Sequence, residues 1–320
     1  MGKLIEGVWR DEGYATDKTG GKFVRWDSAF RDSVTADGSS GFGAEAGRYH
    51  LYLSWACPWA HRTLIFLKLK KLEQAVSVSF VEPLMLENGW TFAPAGDPVN
   101  GAERLYEIYQ MANPAYNGRV TVPVLWDKQT KTIVNNESSE IIRMLNSEFN
   151  AFGDADVDFY PVHLRSEIDA INEDVYSRIN NGVYRVGFAT TQEAYEEAFD
   201  ALFLALDALD TRLSTQRYLV GDQLTEADWR LFTTLVRFDA VYVGHFKCNH
   251  KRIVDYTNLW GYLRELYQVP GIAQSVNMDQ IKTHYYASHR MINPTGVVPR
   301  GPVINFNTPH GREKIKGAAA

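Results

Sequence analysis

The sequence predicts an α/β domain in the first half of the chain and a domain built only of helices in the second half. Between about Tyr49 and Phe149, short apolar runs of strand length alternate with helical patterns, which is typical of an α/β fold. Beyond about Pro161, apolar residues instead recur every three or four positions, which indicates amphipathic helices. The 320 residues are enough for two domains with separate cores.

The composition is that of an ordinary globular chain, with 45% apolar and 22% charged residues. The formal net charge of -6 argues against nucleic acid or an anionic membrane as a partner. No segment is apolar enough to span a bilayer, and the first residues lack the apolar core of a signal peptide. Two cysteines in so long a chain do not form a disulfide framework. We therefore expect a cytoplasmic protein without nucleic-acid or membrane partners.

Changes in composition divide the chain into four predicted parts. Residues 1–48 are rich in Gly, Asp, Ser and Thr and predict an extension held on the main body by isolated aromatic residues such as Trp9, Trp26 and Phe30. Residues 49–150 carry the α/β pattern and residues 157–290 the helical pattern. Residues 291–320 are rich in Pro and Gly at their start and predict a C-terminal tail.

In the α/β part, apolar runs predict strands over Tyr49–Leu53, Val76–Val81, Arg119–Trp126 and Lys131–Val134. Helices are predicted from Cys57 to Leu69 and from about 136 onward, with a long loop between the second and third strands. Because proline has no N–H to donate, we expect Pro123 at a sheet edge or bend. The lysines at the end of the first helix, Lys68, Lys70 and Lys71, are expected in solvent. This order of elements is typical of a thioredoxin-like fold.

The helical part shows one apolar stripe, formed by Tyr195, Phe199, Leu202, Leu206, Leu209 and Leu213 at alternating spacings of four and three. Thr225, with Asp228 three residues later, predicts a capped helix start. Further helices are predicted over about 161–181, 259–268 and 278–288.

The candidate reactive group is Cys57, which follows a predicted strand and precedes Pro58. Proline suits the first helical position, so the cysteine lies at a helix N-terminus, where the aligned peptide dipoles favour thiolate over thiol. Ala60 stands where a dithiol motif would have its second cysteine, and the other cysteine, Cys248, is far along the chain. A mixed disulfide on Cys57 must therefore be resolved by an outside thiol, for which glutathione is the obvious candidate.

Several motifs together resemble those of the glutathionyl-hydroquinone reductases, the xi class of the glutathione transferases. They are Cys57-Pro58-Trp59-Ala60, Val122-Pro123, Glu137-Ser138, Asn181-Gly182-Val183-Tyr184, Leu224-Thr225-Glu226-Ala227-Asp228, Phe238-Asp239-Ala240-Val241-Tyr242 and His284-Tyr285-Tyr286. The resemblance implies the glutathione transferase fold, a homodimer, and the reductive removal of glutathione from glutathionyl-hydroquinones. It also implies a cis bond before Pro123.

The resemblance implies roles for particular residues. Cys57 would be the nucleophile and Tyr184 the proton donor or acceptor, while Tyr242 and Tyr285 would lower the Cys57 pKa or contact the quinol. Glutathione would be held by Trp90, Arg119, Val120, Thr121, Val122, Pro123, Glu137 and Ser138. These roles agree with general chemistry, because a helix opened by Glu137-Ser138 can bind the γ-glutamyl group, and the Val122 backbone can pair with the cysteinyl part of glutathione.

Two other functions remain open from the sequence. An omega-like glutathione transferase, acting as a thioltransferase or dehydroascorbate reductase, would share Cys57 and the glutathione site, so the three tyrosines discriminate. A non-catalytic binding module of the same fold would need no cysteine at the helix start. His245, Cys248 and His250 are close in sequence, but three residues without a fourth are a weak metal signal, so no metal is expected.

Overall fold

The computed structural model describes residues 2–315, which divide into two compact units. Unit 1 takes the residues up to Tyr14, Arg25–Asp158 and Asp279–His284. Unit 2 takes Ala15–Val24, Phe159–Met278 and the residues from Tyr285 onward. None of the described helices is long and apolar enough to cross a membrane.

The elements of unit 1 form a thioredoxin-like fold preceded by short strands. The strands are β1 (Lys3–Ile5), β2 (Val8–Arg10), β3 (Val34–Thr35), β4 (Phe42–Gly43), β5 (Tyr49–Leu53), β6 (Ser77–Phe80), β7 (Gly118–Arg119), β8 (Val124–Asp127) and β9 (Thr132–Asn135). The helices are α1 (Pro58–Leu69), α2 (Leu105–Ala112) and α3 (Ser138–Ser147). The central sheet has the order β6-β5-β8-β9, in which only β5 and β6 are parallel. Helices α1 and α3 pack against each other.

The predicted strand over Arg119–Trp126 is wrong, because the chain forms two strands there. Strand β7 pairs with β1 in a separate sheet of order β2-β1-β7, whereas β8 belongs to the central sheet. Residues 120–123 between them belong to no strand. Pro123 explains the break, since it has no N–H for a sheet ladder. The backbone of these four residues therefore remains outside the central sheet.

The predicted long loop between β6 and β7 contains the helix α2. Leu105, Ile108 and Tyr109 are buried at helical spacing, so the apolar face of this helix packs into the core of unit 1. Three residues are a short pattern, which explains why the sequence did not indicate the helix.

The basic end of α1 also differs from its prediction. Lys71 is exposed and pairs with Asp154, but Lys70 is 0% exposed. The Lys70 ammonium donates hydrogen bonds to the side chain of Asn150 and the carbonyl of Val157. Its long stem is buried, and burial lowers the pKa of Lys70.

Aromatic residues hold parts of the N-terminal extension in place. Trp9 stacks on Tyr106 with ring centroids 4.9 Å apart, and Phe30 stacks on Tyr116 at 5.4 Å. These contacts agree with the predicted anchors, but Trp26 remains 50% exposed.

Unit 2 is helical, as predicted. Its helices are α4 (Arg165–Val175), α5 (Gly182–Gly187), α6 (Gln192–Arg212), α7 (Glu226–Arg237), α8 (Thr257–Tyr267) and the end of α9 (Met278–Ser288). The predicted cap of α7 is confirmed, since the Asp228 carboxylate accepts a hydrogen bond from the backbone N–H of Thr225. The chain after α9 is fixed by Arg312, whose guanidinium donates to Glu265 and to the carbonyls of Leu213, Gln216 and Arg217.

Candidate active site

Cys57 lies at the N-terminal end of α1, as the sequence predicts. It is the residue that precedes the helix, and Pro58 occupies the first helical position. The thiol is partly exposed, and its Sγ lies 3.5 Å from the carbonyl oxygen of Val122, to which it donates. The aligned peptide groups of α1 place partial positive charge at this end, which favours the thiolate.

The Val122-Pro123 bond is cis, as the resemblance implies. Residues 120–123 run past Cys57, and Val120, Val122 and Pro123 are buried while Thr121 is partly exposed. The contact between Cys57 and the Val122 carbonyl places the thiol beside backbone that is outside any strand. Such backbone can accept an extended peptide as an added strand.

Glu137 and Ser138 open α3. The Glu137 carboxylate accepts hydrogen bonds from the backbone N–H and the hydroxyl of Ser139, and from the hydroxyl of Ser28. Glu137 therefore caps its own helix, a role that the sequence did not indicate. Ser138 is buried, and its Oγ accepts a hydrogen bond of 3.3 Å from the guanidinium of Arg62.

Arg62 is a residue that sequence reasoning missed. It is buried in α1 between His61 and Thr63, and its guanidinium lies over the ring of Trp59, 4.6 Å from the ring centroid. A buried arginine must find polar partners, but the polar neighbours His61 and Thr63 give no sign of that burial in the sequence. With the first turn of α3, Arg62 provides positive charge beside Ser138, which suits a carboxylate ligand.

Trp90 is buried and stacks on His284, with ring centroids 4.6 Å apart and an angle of 17° between the planes. His284 Nδ1 lies 2.9 Å from the carbonyl oxygen of Pro83. The sequence singled out His284 only as part of a motif. The structure adds that it holds the Trp90 ring, and both residues belong to unit 1.

Arg119 is buried, and its guanidinium donates hydrogen bonds to the carbonyls of Glu12 and Gly13. It also lies over the ring of Tyr14, 4.2 Å from the centroid. Burial lowers the pKa of Arg119. The sequence predicted contact of this side chain with glutathione, whereas these contacts hold the N-terminal extension.

The three predicted tyrosines lie together in unit 2. The hydroxyl of Tyr285 is 2.6 Å from that of Tyr184 and 3.1 Å from that of Tyr242. Tyr285 is 1% exposed and Tyr184 is 9% exposed, while Tyr242 is fully buried. Burial, with the neighbouring Tyr184 and Tyr242, raises the pKa of Tyr285 well above its ordinary value. The three hydroxyls therefore form one hydrogen-bonded cluster with Tyr285 at its centre, and the Tyr285 hydroxyl keeps its proton.

His245, Cys248 and His250 have separate surroundings. His245 Nε2 lies 3.1 Å from His289 Nδ1, and the ring of His250 packs on that of Phe203. Cys248 is buried, and burial raises the pKa of its thiol. Within residues 2–315, no three His, Cys, Asp or Glu side chains are arranged to hold a metal ion.

Comparison with known proteins gives matches along nearly the whole chain. Residues 56–148 match the glutathione S-transferase N-terminal domain family, and residues 192–265 match the glutathione S-transferase C-terminal domain family. The glutathionyl-hydroquinone reductase YqjG of Escherichia coli (strain K12) is 57% identical, over 98% of this chain and 99% of its own. The glutathionyl-hydroquinone reductase PcpF of Sphingobium chlorophenolicum is 57% identical, over 94% of this chain and 96% of its own.

Solved structures agree with these matches. The glutathione-bound structure of YqjG has a TM-score of 0.90 and 54% identity, covering 98% of this chain and 99% of that one. A xi class glutathione transferase from Natrialba magadii has a TM-score of 0.92 and 50% identity, covering 99% of this chain and 98% of that one.

Proposed function

This chain belongs to the glutathionyl-hydroquinone reductases, the xi class of the glutathione transferases, and from that premise we propose that it removes glutathione from glutathionyl-hydroquinones. A second glutathione is the reductant, and the products are the free hydroquinone and oxidised glutathione. The placement of Cys57 is the observation that carries the proposal. A single thiol lies at a helix N-terminus, beside the Val122 carbonyl before a cis proline.

The first stage is protonation of the substrate ring. A thiolate does not readily displace a ring carbanion from sulfur. The ring carbon that bears sulfur must therefore first gain a proton while a ring hydroxyl loses one, and the product is a keto tautomer. Tyr184 is the proposed acid, because it is the most exposed of the three clustered tyrosines. Tyr285 donates to or accepts from Tyr184 at 2.6 Å, so it supports the hydroxyl whose proton is transferred.

The second stage is transfer of the glutathionyl group. The Cys57 thiolate attacks the glutathione sulfur, the C–S electron pair returns to the ring, and the ring oxygen takes a proton to give the hydroquinone. Cys57 is left in a mixed disulfide with glutathione. The thiolate of a second glutathione then attacks the glutathione sulfur of this disulfide, releasing oxidised glutathione and the Cys57 thiolate.

We assign glutathione to the groups around Cys57. Its γ-glutamyl carboxylate would take the first turn of α3, Ser138 and the positive charge of Arg62, while Glu137 would take the ammonium. The backbone of residues 120–123, meaning Val120, Thr121, Val122 and Pro123, would pair with the cysteinyl part. Trp90 is proposed to pack over the tripeptide. Arg119 is proposed to anchor the glycyl end, with its guanidinium held by the carbonyls of Glu12 and Gly13.

The test combines turnover with trapping of the covalent state. Cys57→Ala is expected to abolish release of hydroquinone, while Cys248→Ala, the matched control, is expected to keep it because that thiol is buried. Mass spectrometry of the wild-type protein, incubated with a glutathionyl-hydroquinone and no free glutathione, should find one glutathionyl group on Cys57. Full turnover by Cys57→Ala, or a glutathionyl group on Cys248 instead, would refute the covalent scheme.

The omega-like alternative is tested by a comparison of substrates. Wild-type protein is offered a glutathionyl-hydroquinone, hydroxyethyl disulfide and dehydroascorbate in parallel with excess glutathione. We expect the highest kcat/KM on the thioether, since the tyrosine cluster supplies an acid that disulfide reduction does not need.

We propose in addition a cytoplasmic homodimer, and light scattering on the purified protein tests the dimer.

A further inference from the structure

The buried hydroxyl of Tyr109, on α2, contacts the backbone of Thr121 and the side chain of Asn136, two residues on separate segments of unit 1. It donates to the carbonyl oxygen of Thr121 at 2.8 Å, and it accepts from the backbone N–H of Thr121 at 3.2 Å and from Nδ2 of Asn136 at 3.0 Å. A tyrosine hydroxyl has one proton to donate and two lone pairs, so these three bonds use its full capacity, while the Thr121 hydroxyl lies further away at 3.5 Å. Tyr109 is 0% exposed, so water does not compete for these bonds.

Each segment is followed directly by residues that are proposed to bind glutathione. Thr121 is followed by Val122-Pro123, whose carbonyl contacts the Cys57 thiol. Asn136 is followed by Glu137-Ser138 at the start of α3. Thr121 and Asn136 are joined through one side chain, although neither belongs to a strand or helix that would fix it.

The surroundings of Tyr109 keep this hydroxyl in one position. Its ring packs edge-on against Phe30, with centroids 5.8 Å apart, and at a tilt against Tyr116, with centroids 5.1 Å apart. Asn136 is fixed in turn by the backbone of Phe30, which donates to its side chain and accepts from its N–H. Burial raises the pKa of Tyr109, so the hydroxyl keeps its proton.

We infer that Tyr109 is a positioning residue for glutathione binding. Its hydroxyl sets the distance between the segment after Thr121, which pairs with the cysteinyl part of glutathione, and the start of α3 after Asn136, which binds the γ-glutamyl group. The inference rests on the proposed function. A tripeptide that spans both places binds well only when the two are held at the matching separation, since otherwise binding must order them.

The test compares Tyr109→Phe with Tyr49→Phe in a Cys57→Ser background. The control loses the hydroxyl of an equally buried side chain, which donates to the Gly43 carbonyl at 2.7 Å in the same unit. Calorimetric titration with reduced glutathione is expected to give about a tenfold larger Kd for Tyr109→Phe. With Cys57 present, Tyr109→Phe should raise the KM for glutathione by a similar factor and change kcat at saturation less than about twofold. Tyr49→Phe should leave Kd within about twofold, whatever its Tm.

A third variant, Glu137→Ala, separates the two ways of failing. If Glu137→Ala weakens glutathione binding while Tyr109→Phe lowers only Tm, the positioning role is wrong and the proposed function stands. If neither variant weakens binding, the proposed glutathione site itself is wrong. Should Tyr109→Phe fail to fold, Asn136→Ala removes one of the three bonds to the same hydroxyl, and an unchanged Kd in that variant would overturn the inference.

Discussion

Removing single hydroxyls from the tyrosine cluster should separate the acid from the residue that supports it. Tyr184→Phe removes the proposed acid and should lower the rate of thioether cleavage by about 10²–10⁴, the usual contribution of general acid catalysis. Tyr285→Phe leaves Tyr184 in place but removes its 2.6 Å hydrogen bond. A neutral hydrogen bond contributes about 0.5–1.5 kcal/mol, so this variant should lose only about two- to tenfold.

The assay follows hydroquinone release from a glutathionyl-hydroquinone in a single turnover, with anaerobic buffer to prevent quinone formation. Each variant is also measured on a glutathionylated small thiol, whose disulfide needs no ring protonation. There, both variants should remain within about twofold of wild type. Tyr262→Phe is the matched control in unit 2, because it loses a buried hydroxyl that donates to Asp228 at 2.7 Å, outside the cluster.

Two outcomes would refute this reasoning. If the rate of Tyr184→Phe falls by the same factor on the thioether and on the disulfide, the Tyr184 hydroxyl does not protonate the ring. If the rate of thioether cleavage falls more in Tyr285→Phe than in Tyr184→Phe, Tyr285 is the acid and Tyr184 only hydrogen-bonds to it.

Three further predictions concern stability and the glutathione site. Burial lowers the pKa values of His50 and His245 to about 4, so their contribution to stability is present above pH 6.5 and is lost as pH falls towards 4. Urea unfolding should show that the free energy of unfolding falls by about 2 kcal/mol per histidine between pH 7.5 and 5. An unchanged free energy of unfolding would contradict the buried neutral rings. Lys70→Met should lower the free energy of unfolding by about 1–3 kcal/mol, because the hydrogen bonds from its ammonium to the Asn150 side chain and the Val157 carbonyl are lost. Exposed Lys71→Met should change the free energy of unfolding by less than about 0.5 kcal/mol. Equal effects of the two substitutions would contradict the burial of Lys70. Trp9→Leu removes the 2.8 Å hydrogen bond from the Trp9 indole to the Glu87 carbonyl, a bond that holds the loop carrying Trp90. This substitution should raise the KM for glutathione about threefold without changing kcat. An unchanged KM would exclude a role for this contact in binding.

Features set by neighbouring residues could be predicted from the sequence. The strand over Tyr49–Leu53 and the helix over Met278–Ser288 have the predicted bounds, and α1 begins at Pro58. Each depends on a local signal: an apolar run of strand length, a helical period, or a proline at the first helical position. The cap of α7 is of the same kind, because its partners are three residues apart.

Features that depend on distant residues could not be predicted from the sequence. The sequence suggests that Tyr184 and Tyr285 act together only through family resemblance, since they are 101 positions apart and no local pattern joins them. Arg119 has its carbonyl partners more than 100 positions earlier. Lys70 looks like part of a solvated helix end until the fold brings the Val157 carbonyl to it. Long polar side chains follow the partners that tertiary structure provides, so their burial is not encoded in the neighbouring sequence.

The two cysteines explain why the proposed reaction consumes a second glutathione. Cys57 is partly exposed at a helix N-terminus, where the thiolate is favoured. Cys248 is fully buried, and burial raises the pKa of its thiol, so it stays protonated and out of reach of a disulfide. Only a thiolate attacks a disulfide, and therefore Cys248 does not release glutathione from Cys57. Since Ala60 replaces the second cysteine of a dithiol motif, the attacking thiolate must come from solution. A site that binds glutathione beside Cys57 supplies that thiolate at the sulfur where it is needed.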